Sequence, residues 1–147
     1  MKHGKNRERK RRTVTEAYLL CKAEIAAESD RPFWIKGVEL LLRVDQEDFA
    51  CRESQIKPVY LANWFYSTTG GERRFLLPAF YLKRGRVYFV NGRHRTALLL
   101  DHLDLLPMSL ADVDVDSCAI LARIVDKELD PEEQFELPDL PIVDSIS

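Results

Sequence analysis

A chain of 147 residues with 46% hydrophobic and 31% charged side chains is long enough for one domain with its own core and has an ordinary globular composition. No apolar run approaches the ~20 residues that span a bilayer, and the basic start leads into a charged segment rather than the apolar stretch of a signal peptide. The net charge of −2 conceals an asymmetry, because residues 1–12 hold seven Lys or Arg and one Glu while 127–147 hold one Lys and seven Asp or Glu.

In chain order, residues 1–12 read as a basic flexible arm in which Lys10, Arg11 and Arg12 are candidate nucleic-acid contacts. Thr13 or Thr15 can cap a helix over about 15–29, rich in Ala, Leu and Glu, which Arg31-Pro32 ends. The aromatic and β-branched content of 33–44, FWIKGVELLLRV, predicts one or two strands with a bend at Gly37. The polar DQED that follows is a loop or a single helical turn. A helix from Pro58 to about Tyr66 sets Tyr60, Leu61, Trp64 and Phe65 on one face. STTGGERR, 67–74, is a basic loop whose Arg73 and Arg74 are further candidate nucleic-acid contacts. Residues 76–82 and 86–90 flank Lys83-Arg84-Gly85 as a hairpin, with Gly85 at a positive φ. A helix over 93–103 follows Asn91-Gly92, with Pro107 beyond its end and a short strand over 107–113. Ser117 opens another helical pattern that Pro131 closes. Residues 13–130 then form a single domain of α+β (small α/β) class, and 131–147 an acidic, Pro-containing tail.

The segment that carries chemistry is Asn91-Gly92-Arg93-His94-Arg95-Thr96. Gly92 lets the chain turn sharply, and the helix after it presents its first N–H groups. Those donors and the helix dipole favour an anion, commonly phosphate. Arg93 and Arg95 would add forked, charge-assisted bonds, and His94 can donate a hydrogen bond or carry a proton. Two basic residues at a helix start cost about 0.3–1 kcal/mol each, and a bound anion reverses that sign. The alternative is internal pairing. The positions one turn on, 96–99, hold no acid, which leaves tertiary partners such as Glu39 or Asp48.

Asp101, His102 and Asp104 read as a solvated helix face, and Trp34 and Trp64 as core. Cys21, Cys51 and Cys118 form no CxxC and no metal spacing, so they read as buried, reduced thiols of a cytoplasmic protein. No P-loop, Rossmann fingerprint, zinc spacing or hydrolase signature occurs.

YFVNGRHRTALLLDHLDLLPMSL resembles the core of the ParB/sulfiredoxin superfamily: a strand, a Gly-x-x-Arg turn, a helix, then a Pro leading into another strand. The likeness covers about 76–112 well and the flanks in outline. Within the superfamily it is nearest to ParB-like plasmid fertility-inhibition factors, whose turn commonly reads Gly-Arg-His-Arg. The resemblance implies a short mixed sheet flanked by helices. ParB partition proteins have Gly-Glu-Arg-Arg at this turn and bind nucleotide phosphates there; here Arg93 stands for the Glu and His94 for an Arg. Sulfiredoxins have Gly-Cys-His-Arg, and Arg93 stands where their redox Cys would be. Gly71-Glu72-Arg73-Arg74 spells the partition-protein letters, but a strand rather than a helix is expected after it.

What the resemblance implies is a cytoplasmic inhibitor of conjugative DNA transfer. It would act on the type IV secretion machinery, at the coupling protein or the transferred DNA complex, without inserting in a membrane. The alternatives are an NTPase or DNase and a nucleic-acid-binding accessory factor. In the enzyme, a nucleoside triphosphate with Mg²⁺ would sit at Asn91–Thr96, with Arg95 as phosphate clamp and His94 as general acid. The accessory factor would use the N-terminal arm and the same turn.

Overall fold

The computed structural model describes residues 18–45, 66–67 and 72–138. The basic arm, residues 58–65 of the helix expected from Pro58 to about Tyr66, and the last nine residues lie outside the described residues, while Tyr66 itself is in a strand. Two mixed sheets and a few short helices make up a small α/β domain. The small mixed α/β class is as expected.

The larger sheet has the strand order β6–β5–β7–β2–β8, from β2 (Arg31–Lys36), β5 (Ala79–Lys83), β6 (Arg86–Asn91), β7 (Leu105–Val113) and β8 (Val125–Glu128). The smaller is β3–β4–β1–β9, from β1 (Tyr18–Glu24), β3 (Tyr66–Ser67), β4 (Arg73–Leu76) and β9 (Phe135–Pro138). Helices α1 (Gly37–Leu41), α2 (Arg93–Leu100) and α3 (Cys118–Ile124) fill connections, with a 3-10 turn at Val115–Ser117. Phe33, Ile35, Leu40, Phe75, Phe80 and Leu106 belong to one buried cluster that both sheets share. Trp34 also joins the sheets, edge-on to Phe135 at 5.2 Å.

Several sequence expectations change. Tyr18–Glu24 is a strand, not part of a helix over 15–29. Its burial alternates, with Cys21 and Ala23 inside and Tyr18 and Leu20 exposed. Parallel pairing to β4 and antiparallel pairing to β9 outweigh its helical composition. FWIKGVELLLRV divides at Gly37 into strand and short helix. Gly37 suits that junction, since a Cβ there would lie 2.8 Å from Leu100 Cδ2. Arg31-Pro32 sits inside β2 instead of ending a helix. The Pro32 carbonyl accepts from Leu129 N–H just past the end of β8, so its missing N–H interrupts no ladder bond.

Pro107 likewise lies within β7. Ser109 N–H points toward β5, donating to Pro78 O, and position 107 shares that orientation two residues earlier, before β5 begins. The helix expected over 93–103 ends at Leu100, and the one expected after Ser117 gives way to β8 at Val125. Within the segment read as a tail, β9 lies extended along β1.

The hairpin turn is as expected, although its first strand starts at Ala79 rather than at 76. Arg84 (φ 53°) and Gly85 (φ 75°) both occupy the left-handed region, the signature of a type I′ turn. Two bonds fix it from outside: Arg84 N–H to Asp114 Oδ2 (3.0 Å) and Gly85 N–H to Ser117 Oγ (2.8 Å). β6 is thereby held at the sheet edge, with its last residue, Asn91, feeding directly into Gly92.

Candidate functional site: the β6–α2 turn

Gly92 is the N-cap of α2 with φ 82° and ψ 19°, a backbone that only glycine adopts without strain. It is also a point of close approach. A Cβ at Gly92 would lie 2.6 Å from Pro78 Cα and 2.7 Å from Arg95 Nη2. The glycine thus makes room for the neighbouring strand junction and for the guanidinium folded back over it. Nη2 of Arg95 donates to Asn91 Oδ1 (3.1 Å), so the strand's last side chain holds an arginine from the helix's first turn.

Thr96 is fully buried, and both its N–H and its Oγ1–H donate to Gly92 O at 2.9 Å. It locks the turn from beneath and presents no hydroxyl to solvent. The N–H groups of Arg93, His94 and Arg95 precede the first intrahelical bond and project from the start of the helix. Gly92 has no side chain with which to cap that end, and the first turn contains no acid. Of the acids weighed as partners, Glu39 is engaged by Arg43 at 3.0 Å, and Asp48 lies outside the described residues.

Arg93 leans back over Phe89, its guanidinium carbon 5.6 Å from the ring centroid. There it enters the wall of a groove of about 220 Å³ along β6, shared with Arg86, Tyr88 and Asp45. Sequence reasoning missed this groove. Its signal lay in the alternation of Arg86 and Tyr88, two exposed side chains on one strand face.

Asn91, Gly92, Arg93, His94 and Arg95 are thus brought together, half-buried, around one corner. Arg73 and Arg74 are not part of it. They lie on β4, where Arg74 pairs with Glu72 (2.7 Å) and Glu132 (3.4 Å) and donates to Ala23 O (2.9 Å). Lys22 completes that network with Glu72 at 3.2 Å, which holds the Glu72 carboxyl below the usual range and the lysine above its own. Arg73 and Arg74 themselves open β4, so the end of the loop expected over 67–74 is β structure; no helix follows Glu72-Arg73-Arg74. Lys10, Arg11 and Arg12 lie outside the described residues. His102 is buried rather than on a solvated face, and Cys118 is exposed rather than buried. No protein-family model, curated protein or solved structure significantly matches the chain.

Proposed function

We propose that the chain is a plasmid fertility-inhibition factor of ParB/sulfiredoxin type. On this reading it is an interaction protein that blocks conjugative DNA transfer through a type IV secretion system, acting in the cytoplasm on the coupling protein or the transferred DNA complex. The likeness of Gly92-Arg93-His94-Arg95 to the family turn supports it. The observation that carries it is the left-handed Gly92 opening α2 with three basic residues and no acid in the first turn. That corner receives a negatively charged group of its partner. No helix is long and apolar enough to cross a membrane among the described residues.

A conjugation assay tests the proposal. Overproduction in donor cells should lower transfer of a second plasmid, and Arg93→Gln with His94→Gln should restore it at equal protein level. Unchanged transfer on overproducing the unaltered protein disposes of the reading.

A nucleotide-binding NTPase or DNase is the second reading, favoured by the same geometry, since a glycine turn into a helix start suits phosphate. Arg95 would clamp the phosphate and His94 would serve as general acid. Among the described residues no group of three or more His, Cys, Asp or Glu is placed to hold a metal. Triphosphate turnover that disappears in Arg95→Ala would favour this reading.

A further inference from the structure

The outer face of the β5–β6 hairpin has features that the turn at Gly92 does not use. Tyr81 and Tyr88 face each other across the two strands, their rings stacked at 5.2 Å and 20°. Tyr88 is nonetheless 42% exposed and Val90 56%. A tyrosine pair kept at a surface, on an edge strand of the described sheet, costs hydration that a core position would avoid. Around it Lys83, Arg84 and Arg86 are exposed, and none takes part in an ion pair among the described residues. Exposed rings beside uncompensated cations form the combination that binds single-stranded nucleic acid: bases stack and phosphates meet charge.

We infer that this hairpin face is a stacking platform for single-stranded nucleic acid, adjoining the Gly92 corner at Arg93. Tyr81 covers one face of the Tyr88 ring, and the groove opens along the strand's other side, with Tyr88 and Arg86 in its wall. A base placed there extends the tyrosine stack by one ring. The groove volume of about 220 Å³ is below the roughly 300–1,000 Å³ of pockets that enclose a whole small ligand, which suits a ring entering from an open strand.

The acids set the direction. Asp112 lies opposite Tyr81 on the β7 side, and Asp114 is bound to the Arg84 N–H. Both repel a backbone running across the sheet, so the strand runs along β6, from Arg86 toward Arg93. Asp45 in the groove wall disfavours a phosphate inside it. Bases therefore face the groove and phosphates the outer cations. A duplex, whose bases are already stacked on each other, cannot use the tyrosine.

The proposal does not depend on the fertility-inhibition reading and survives its failure. The test is fluorescence anisotropy on the full chain with labelled oligothymidylate of about twelve nucleotides, against a duplex of equal length. Tyr88→Leu keeps apolar cover over Tyr81 and should weaken single-strand binding roughly five- to a hundredfold, while Tyr88→Phe stays within about twofold. Arg86→Gln, which disturbs no packing, should lower the slope of log affinity against log salt by about 0.7. Duplex binding should be indifferent to Tyr88→Leu. Single-strand binding unchanged in Tyr88→Leu, with a salt slope unchanged in Arg86→Gln, overturns the proposal. So does polyglutamate that binds with the same dependence on Tyr88, which makes the face a surface for acidic protein.

Discussion

Gly92 and Pro78 approach so closely that a β-carbon on the glycine would sit 2.6 Å from the proline's Cα. Pro78 lies between β4 and β5, and Gly92 between β6 and α2, so the contact pins the candidate turn against the start of β5. Gly92→Ala therefore meets two penalties. The left-handed backbone costs about 1–2 kcal/mol for a residue with a β-carbon. Overpacking against Pro78 adds roughly 1–3 kcal/mol, because the obstacle is backbone and cannot swing aside. Urea unfolding should show a loss of at least about 2 kcal/mol. A variant as stable as the parent would mean that the turn relaxes freely.

The β5–β6 turn is held by a hydroxyl and a carboxylate from the 114–117 segment. Ser117 is fully buried, and its Oγ accepts from Gly85 N–H at 2.8 Å. Ser117→Ala removes that acceptor and should cost about 1 kcal/mol in urea unfolding. Amide exchange at Gly85 should accelerate, while exchange at Phe80, at the far end of β5, changes only with global stability. Equal acceleration at both sites would show that the bond has no local role.

The hairpin and the strand–turn–helix were legible because their determinants are local. Gly85 and Gly92 each supply a positive φ, and apolar runs flank them. Strand β1 was not legible in the same way. Leu, Ala and Glu favour a helix, and the partners that override them, Arg74 to Leu76 and Phe135 to Pro138, are remote in the chain. Pro107 was read as a sign of a finished helix, but its permission to sit in β7 depends on where β5 begins. At the site, residue types were legible and orientations were not. Nothing local distinguishes Thr96, buried against Gly92 O, from His94, half-exposed at the helix start.

The Lys22–Glu72–Arg74–Glu132 network ties β1, β4 and the connection to β9 together. The hydrogen bond from Lys22 is the leading cause that holds the Glu72 carboxyl below its ordinary value. A carboxyl depressed on folding stabilises above its unfolded pKa, about 4.3, and loses that contribution as pH falls through the folded value. Glu72→Gln should lower the melting temperature at pH 7, and the gap should close in acid below the folded pKa. It should also narrow in high salt, since these groups are solvent-accessible. A gap that persists in both conditions would mean that the glutamate acts through packing alone.

Cys21 and Cys118 offer a check on burial. Burial pushes the Cys21 thiol up to about 12, against a smaller opposing pull from Arg73, so almost no thiolate forms at pH 8. Cys118 is exposed. Iodoacetamide followed by peptide mapping should label Cys118 in the native protein within minutes, and Cys21 only on unfolding. Rapid native labelling of Cys21 would mean that β1 detaches from β4 and β9 in solution.

Asn91 tests whether the corner is preorganised for an anion. Its Oδ1 restrains one arm of the Arg95 fork at 3.1 Å, leaving less rotamer freedom to lose when a phosphate arrives. Asn91→Ala should weaken phosphate or nucleotide binding several-fold in calorimetry, because Arg95 must then be ordered at the moment of binding. Arg95→Ala should weaken it further by removing the charge as well. Arg95→Lys should not restore it, since an ammonium cannot span Asn91 and a phosphate oxygen as a planar fork does. The double variant Asn91→Ala/Arg95→Ala should bind no worse than Arg95→Ala alone, because the asparagine acts only through the arginine. Additive losses would instead assign Asn91 a direct contact with the anion.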